Sequence, residues 1–104
     1  MLFRSRDNVR LDPQKVRGVA MGVPGVRGAH KIRSRGTQDF IQVDLHIHLD
    51  PHWTVTQAHL ATHQVADAVR AAFPGVHDVV IHTEPADGRE HDISTVAPGG
   101  PFPE

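Results

Sequence analysis

Histidine is the side chain with the most potential for chemistry in this sequence. The chain has nine histidines and no cysteine among its 104 residues. Imidazole is the commonest metal ligand in proteins, and it gains or loses a proton near neutral pH. Without thiolates, a metal site in this chain would consist of nitrogen and oxygen donors. The composition therefore predicts binding of metal ions or of protons.

Two pairs of residues have a spacing that suits chelation. His82 and Glu84 are two apart in a predicted strand, so their side chains lie on one face, about 7 Å apart at the backbone. His59 and His63 are four apart in a predicted helix and share one face. No glutamate follows His59, which argues against the His-Glu-x-x-His signature of zinc proteases. Taken alone, each pair is more simply explained as exposed polar surface.

A third group of donors lies on a single strand. Apolar residues alternate through residues 40–50, at Ile41, Val43, Leu45, Ile47 and Leu49. Asp44, His46 and His48 occupy the opposite face, which predicts a strand with one side on the core and the other toward water or a ligand. A polar surface facing water explains His46 and His48 as well as a metal site does, and it is the preferred interpretation for these two residues.

The helices and strands follow from caps and periodicity. Asp12 followed by Pro13 begins a helix that ends near residue 23. Thr54, with Gln57 three residues later, forms a capping box for a second helix that ends near residue 73. Helical spacing predicts packing by Val16, Val19, Ala20 and Val23 in the first helix and by Val55, Ala58, Ala61, Val65, Ala68, Val69 and Ala72 in the second. Strands are predicted over residues 27–34, 40–50 and 76–84, the first two joined as an antiparallel hairpin through residues 35–39.

The order of these elements defines the fold class. Helix-strand-strand-helix-strand predicts an α+β sandwich with helices on one face of a three-stranded sheet, a ferredoxin-like or metallochaperone-like arrangement. The exposed edges of such a sheet favour a homodimer. One domain is predicted over residues 12–85, after a polar segment, 1–11, and before a tail, 86–104, whose glycine, proline and acidic residues predict poor order.

Charge and composition argue against several classes of protein. The 11 basic and 12 acidic residues nearly cancel, so nucleic acid is not a predicted partner. A basic stripe on one face of the first strand, Arg27, Lys31, Arg33 and Arg35 with Ala29 between them, is explained as a solvated surface. No apolar run approaches the roughly 18 residues of a spanning helix, which predicts a cytoplasmic protein without membrane insertion. No nucleophile motif or glycine-rich phosphate loop is present, so an enzyme is not predicted.

Five motifs in the sequence resemble one known family. They are Val23-Pro24-Gly25-Val26, the run from Gly28 to Arg35, the run from Phe40 to Leu45, Ala58-His59 and the run from Val80 to Pro85. Their order and spacing over residues 12–85 are similar to the C-terminal cytoplasmic domain of cation diffusion facilitator (CDF) metal transporters. The resemblance is specific because it includes each position at which that family keeps a metal ligand.

The resemblance implies a V-shaped homodimer that binds divalent cations and closes on binding them. The ligands that it implies are His30, Asp44, His59, His82 and Glu84. In the implied binuclear site, His30 and His59 hold one ion, Asp44 and His82 hold another, and Glu84 bridges the two. Nitrogen and oxygen donors of this kind favour Zn²⁺, and they also suit Mn²⁺, Fe²⁺, Co²⁺ or Ni²⁺.

The sequence departs from the family in one respect. A CDF transporter has a bundle of membrane helices ahead of this domain, and the sequence contains none. The chain is therefore expected to be either an excised domain or a stand-alone soluble relative that serves as a cation sensor, buffer or regulator, with a membrane cation transporter as a candidate partner. Its initial methionine favours the second.

Two alternatives stay open from the sequence. The histidines could form a pH-sensing or protein-interaction module that works without metal. A metal-dependent hydrolase would need an open coordination position and a general base, and no spare base lies beside His82 and Glu84.

Overall fold

The helices and strands follow one another in the order that the sequence predicts. The computed structural model describes residues 9–86 of the chain. Within this range the elements are helix α1, Pro13–Met21, strand β1, Gly28–Thr37, strand β2, Phe40–Leu49, helix α2, Val55–Ala72, and strand β3, Val76–Pro85. The predicted fold class is confirmed. The predicted N-terminal segment, 1–11, and tail, 86–104, lie largely outside the described residues.

The three strands form one sheet with β2 in the centre. β1 pairs with β2 in antiparallel orientation, and β3 pairs with the other edge of β2 in parallel orientation. The predicted hairpin is confirmed, but its loop is shorter than predicted because Thr37 already pairs with Phe40. Parallel strands need a long crossover connection, which α2 supplies between β2 and β3. This topology brings β1 and β3 to opposite sides of the central strand.

Both helices begin at the predicted N-caps. Asp12 Oδ1 accepts a hydrogen bond of 2.9 Å from the Gln14 N–H, with Pro13 as the first residue of α1. At the start of α2, Thr54 Oγ1 accepts a bond of 3.1 Å from the Gln57 N–H, while Gln57 Oε1 accepts one of 2.8 Å from the Thr54 N–H. The reciprocal bonds satisfy two backbone donors that a helix terminus otherwise leaves unpaired.

Thr54→Ala is expected to lower the free energy of unfolding by about 1 kcal/mol, because the backbone donor of Gln57 loses its acceptor. Denaturant-induced unfolding of metal-free protein would measure the change. Thr56→Ala, an exposed position in the first turn of the same helix, is the matched control and should change stability by less than about 0.5 kcal/mol. Equal losses in the two variants would contradict a specific role for the cap.

The hydrophobic core lies between the helices and one face of the sheet. The apolar face of β2 is 0–3% exposed at Ile41, Val43, Leu45, Ile47 and Leu49. Val16 and Ala20 of α1 pack against this face together with Ala61, Val65 and Val69 of α2. The predictions for Val55 and Ala72 are wrong, since Val55 is 86% exposed and Ala72 is exposed as well. The first turn of α2 thus supplies the cap, and the fully buried residues of the helix begin at Ala61.

A β-bulge in β1 changes which side chains face away from the core. The pairing with β2 shifts between His30 and Arg33, and Lys31 has a φ of 52°. Ala29 before the bulge is buried in the core, whereas Arg33 after it lies opposite Asp44. The predicted stripe with Ala29 among the arginines is therefore wrong. One inserted residue moves His30 and Arg33 onto the same face, which an unbroken two-residue period forbids.

Candidate metal centre

The open face of the sheet, opposite the core, collects imidazole and carboxylate groups from all three strands. On β2 this face carries Asp44, His46 and His48, because the intervening residues are buried. His46 pairs with His30 of β1 and with His82 of β3, and His48 pairs with Glu84 of β3. The strand register therefore places these side chains in adjacent rows across the sheet.

Four of the side chains form a connected group, here called the histidine–glutamate cluster: His30, His46, His48 and Glu84. One oxygen of Glu84 lies 3.5 Å from His30 Nε2 and 3.3 Å from His48 Nε2. The other oxygen lies 2.7 Å from His46 Nδ1. His48 Nε2 is also 2.9 Å from His30 Nδ1. Glu84 is thus the common partner of three imidazoles.

The cluster is half-buried, and its groups change one another's acidity. Loss of solvent lowers the pKa of His30; the charge of Glu84 opposes this change, while His48, His46 and Lys31 add to it. Loss of solvent alone would raise the pKa of Glu84, but the hydrogen bond with His46 and the positive charges of the nearby histidines outweigh it and lower the pKa. A neutral His30 beside an ionised Glu84 is the protonation state that a metal ion requires.

Three residues of the cluster can reach a common ion. One donor atom each from His30, His48 and Glu84 lie within 4.8 Å of one another. Zn²⁺ binds imidazole nitrogen and carboxylate oxygen at about 2.0–2.2 Å, so two ligands of one ion lie about 3–4 Å apart. Small side-chain movements would therefore bring three donors onto one ion. His46 could hold the carboxylate of Glu84 from its other side, as groups next to metal ligands commonly do.

Two more of the predicted ligands lie beside the cluster. The His82 ring stacks on the His46 ring with centroids 4.6 Å apart. His82 Nε2 lies 3.8 Å from Asp44 Oδ1, and the other oxygen of Asp44 lies 3.2 Å from the Arg33 guanidinium. Asp44 is thus paired with an arginine, and His82 lies between Asp44 and the cluster.

His59, the fifth predicted ligand, lies on α2 in the layer on the core side of the sheet. Its Nε2 atom is 2.9 Å from Nε2 of His63. The groove beside these two histidines is lined by Val79 and Ile81 of β3, whose side chains pack against the core rather than on the open face. Within one chain, His59 is therefore separated by the sheet from His30 and Glu84.

His46 and His48 belong to the cluster, although the sequence favours a solvated surface for both. Their side chains are only 24% and 22% exposed, and both contact Glu84. The alternation along β2 correctly places them on one face. The contact with Glu84 could have been predicted from parallel pairing of β2 with β3. This pairing places the run His-x-His of β2 directly beside the His-x-Glu of β3.

Acid should destabilise the metal-free protein in two steps. Since the pKa of His30 is lowered in the fold, the unfolded chain takes up the proton first, and stability falls as pH drops below about 6.5. The pKa of Glu84 is lowered as well, so its contribution is present above about 4.5 and is lost below it. Denaturant unfolding in the presence of chelator, from pH 8 to about pH 3, measures both. His30→Gln should flatten the first step, and a stability that rises between pH 7 and pH 5.5 would contradict the assignment.

Together the fold and the cluster define a small α+β domain with a candidate cation site on the open face of its sheet. Residues 10–86 match the family described as the cytoplasmic domain of cation efflux proteins. The chain belongs to this family, which confirms the resemblance to CDF proteins.

Cation-efflux pumps are among the proteins that this chain resembles in sequence. The chain is 42% identical over 74 residues to the cation-efflux pump FieF of Cronobacter sakazakii, a match that covers 69% of this chain and 24% of the pump. It is 35% identical over 88 residues to FieF of Citrobacter koseri, covering 78% of this chain and 28% of that protein. The chain thus spans about a quarter of the length of the curated relatives that it matches.

Solved structures of MamM C-terminal domains have the same fold. The nickel form of a MamM variant superposes with a TM-score of 0.66 and 30% sequence identity, covering 71% of this chain and 94% of that one. The cadmium form of another variant has a TM-score of 0.66 and 30% identity, covering 71% of this chain and 92% of that one.

Neither helix between residues 9 and 86 has the length and apolar character needed to cross a membrane.

Proposed function

We propose that this chain is a cytoplasmic regulatory domain that binds a divalent cation at the histidine–glutamate cluster. The observation that carries the proposal is the convergence of donor atoms from His30, His48 and Glu84 within 4.8 Å. A carboxylate shared by three imidazoles has no evident role in packing, because it lies on the face of the sheet away from the core. Relatives that export cations and similar domains with nickel or cadmium support a metal as the ligand.

The donor set favours Zn²⁺. The donors that can reach a common ion are the imidazoles of His30 and His48 and the carboxylate of Glu84. A tetrahedral Zn²⁺ site uses nitrogen and oxygen ligands of this kind. Ni²⁺ and Co²⁺ suit imidazole as well, whereas Mn²⁺ prefers sites richer in oxygen. We therefore expect Zn²⁺ to bind more tightly than Mn²⁺, with Fe²⁺ between them.

The proposal includes a homodimer. If His59 shares an ion with His30, as the resemblance implies, His59 must come from a second copy of the chain, because the sheet separates the two residues within one copy. Cation binding would then draw two copies together and shift a population from open to closed dimers. A membrane cation transporter, or the membrane part of one, is the proposed reader of this change.

Calorimetric titration of chelator-treated protein tests the proposal. We expect saturable Zn²⁺ binding and weaker Mn²⁺ binding at the cluster, and loss of this Zn²⁺ site and of Mn²⁺ binding in the His30→Ala/His48→Ala double variant. His52→Ala, an exposed histidine in the turn before α2, is the matched control and should bind like the wild type. Small-angle scattering with and without Zn²⁺ would report the closing. Absence of binding in the wild type would overturn the proposal, and a pH-dependent change of assembly without metal would favour the pH-sensing alternative.

A further inference from the structure

A second pair of imidazoles lies outside the histidine–glutamate cluster, on the helical layer. His59 and His63 are one turn apart in the interior of α2, and both are exposed. Their Nε2 atoms are 2.9 Å apart, and their rings are edge-on at 89° with centroids 4.5 Å apart. One imidazole therefore donates its proton to the ring nitrogen of the other, so both nitrogens point toward the same place.

That geometry is close to what a chelated cation needs. Metal–nitrogen distances of about 2.0–2.1 Å place two imidazole nitrogens of one tetrahedral ion about 3.3 Å apart. Replacing the shared proton by an ion thus requires the two nitrogens to separate by a few tenths of an ångström and the rings to turn so that both lone pairs point at the ion. The helix already holds both side chains, so no segment of the chain must fold to form the chelate.

The surroundings leave room for an ion. Thr62, Ala66 and Arg70 line the groove next to the two histidines. The guanidinium group of Arg70 contacts other groups. Its Nε donates to the His77 carbonyl at 3.0 Å, and its Nη1 lies 3.5 Å from Asp67. The pairing of Arg70 with Asp67 leaves little net positive charge to repel an ion in the groove.

We propose that His59 and His63 form a second cation site, distinct from the cluster and complete within one copy of the chain. Two neutral imidazoles favour the borderline divalent ions Cu²⁺, Ni²⁺ and Zn²⁺, and they provide little for Mn²⁺, Mg²⁺ or Ca²⁺. Water fills the remaining positions on the ion. The site depends on the local geometry of α2 and not on the cluster. Because it uses His59, it is an alternative to an ion shared between His59 and His30 of two copies.

The test uses the full chain with the cluster removed by His30→Ala/Glu84→Gln. Titration of this variant with Cu²⁺ and Ni²⁺ should show one ion per chain, while Mn²⁺ gives no signal. Adding His63→Ala should weaken Cu²⁺ binding by at least about tenfold, since one of two ligands is lost. Adding His52→Ala instead should leave binding unchanged. Paramagnetic resonance of the Cu²⁺ complex should report two imidazole nitrogens, reduced to one by His63→Ala.

Each outcome decides the assignment. Circular dichroism would verify that α2 is intact, and His63→Ala is at an exposed helical position where alanine is well tolerated. Lack of Cu²⁺ and Ni²⁺ binding in the cluster-free variant would overturn the second site. It would not contradict cation binding at the cluster. Binding that His52→Ala weakens as much as His63→Ala would overturn it too. If His63→Ala removes an ion only from protein with an intact cluster, His59 belongs to a site shared with the cluster. That result would also overturn the separate second site.

Discussion

Glu84→Gln is expected to weaken Zn²⁺ binding at the cluster by at least about 100-fold. Substitution of groups that merely orient metal ligands costs about 10–100-fold in affinity, and Glu84 is both a donor and the common partner of three imidazoles. The amide keeps the size of the side chain but removes its negative charge. One amide oxygen cannot accept from His46 and bind an ion beside His30 and His48 in the way that a carboxylate can.

The matched control for this experiment is Asp78→Asn, which removes an exposed carboxylate from the same strand. It should leave Zn²⁺ affinity within about threefold of the wild type, because distant surface charges are screened by salt. Competition with a chromogenic chelator would measure both variants. Equal affinities for Glu84→Gln and the wild type would show that the cluster is not the cation site.

Leu45→Ala is expected to lower the free energy of unfolding by about 2–5 kcal/mol. Leu45 is 0% exposed, lies on the central strand and packs in the core beneath both helices. The alanine leaves a cavity that surrounding side chains can fill only in part. Domains of this size have a total stability of about 5–15 kcal/mol, so the variant could lose much of it.

Leu60→Ala is the control for the core substitution, since it removes the same atoms from a leucine that is 57% exposed on α2. It should change stability by less than about 0.5 kcal/mol. Urea unfolding of metal-free protein would compare the two variants without a contribution from bound cation. Similar losses at both positions would contradict the division into core and surface described above.

Much of the fold is contained in local sequence signals. The N-caps at Asp12 and Thr54, and the alternation through β2, each depend on residues only a few positions apart. These signals predict the helices, the strands and the core face of the sheet. The exceptions are Val55 and Ala72, which have the correct spacing for packing but lie in the first and last turns of α2, outside the part of the helix that packs on the core.

The candidate site was predicted only in part. His30 and Glu84 carry a recognisable resemblance and do lie together in the fold. His46 and His48 have no counterpart among the motifs, and the same strand pattern would suit a solvated surface. Only the pairing of β2 with β3 shows that Glu84 contacts both of them as well as His30.

By itself, then, the sequence determined the type and order of the elements, the family, and the nitrogen and oxygen chemistry of the donors. The tertiary structure decided which donors meet. A bulge at Lys31 moves His30 onto the open face, the strand register brings His46 and His48 to Glu84, and the sheet keeps His59 on the other side. The physical reason is that side-chain periodicity is a local property, whereas strand register depends on contacts between residues far apart in the chain, and a shift of one residue exchanges the two faces of a strand.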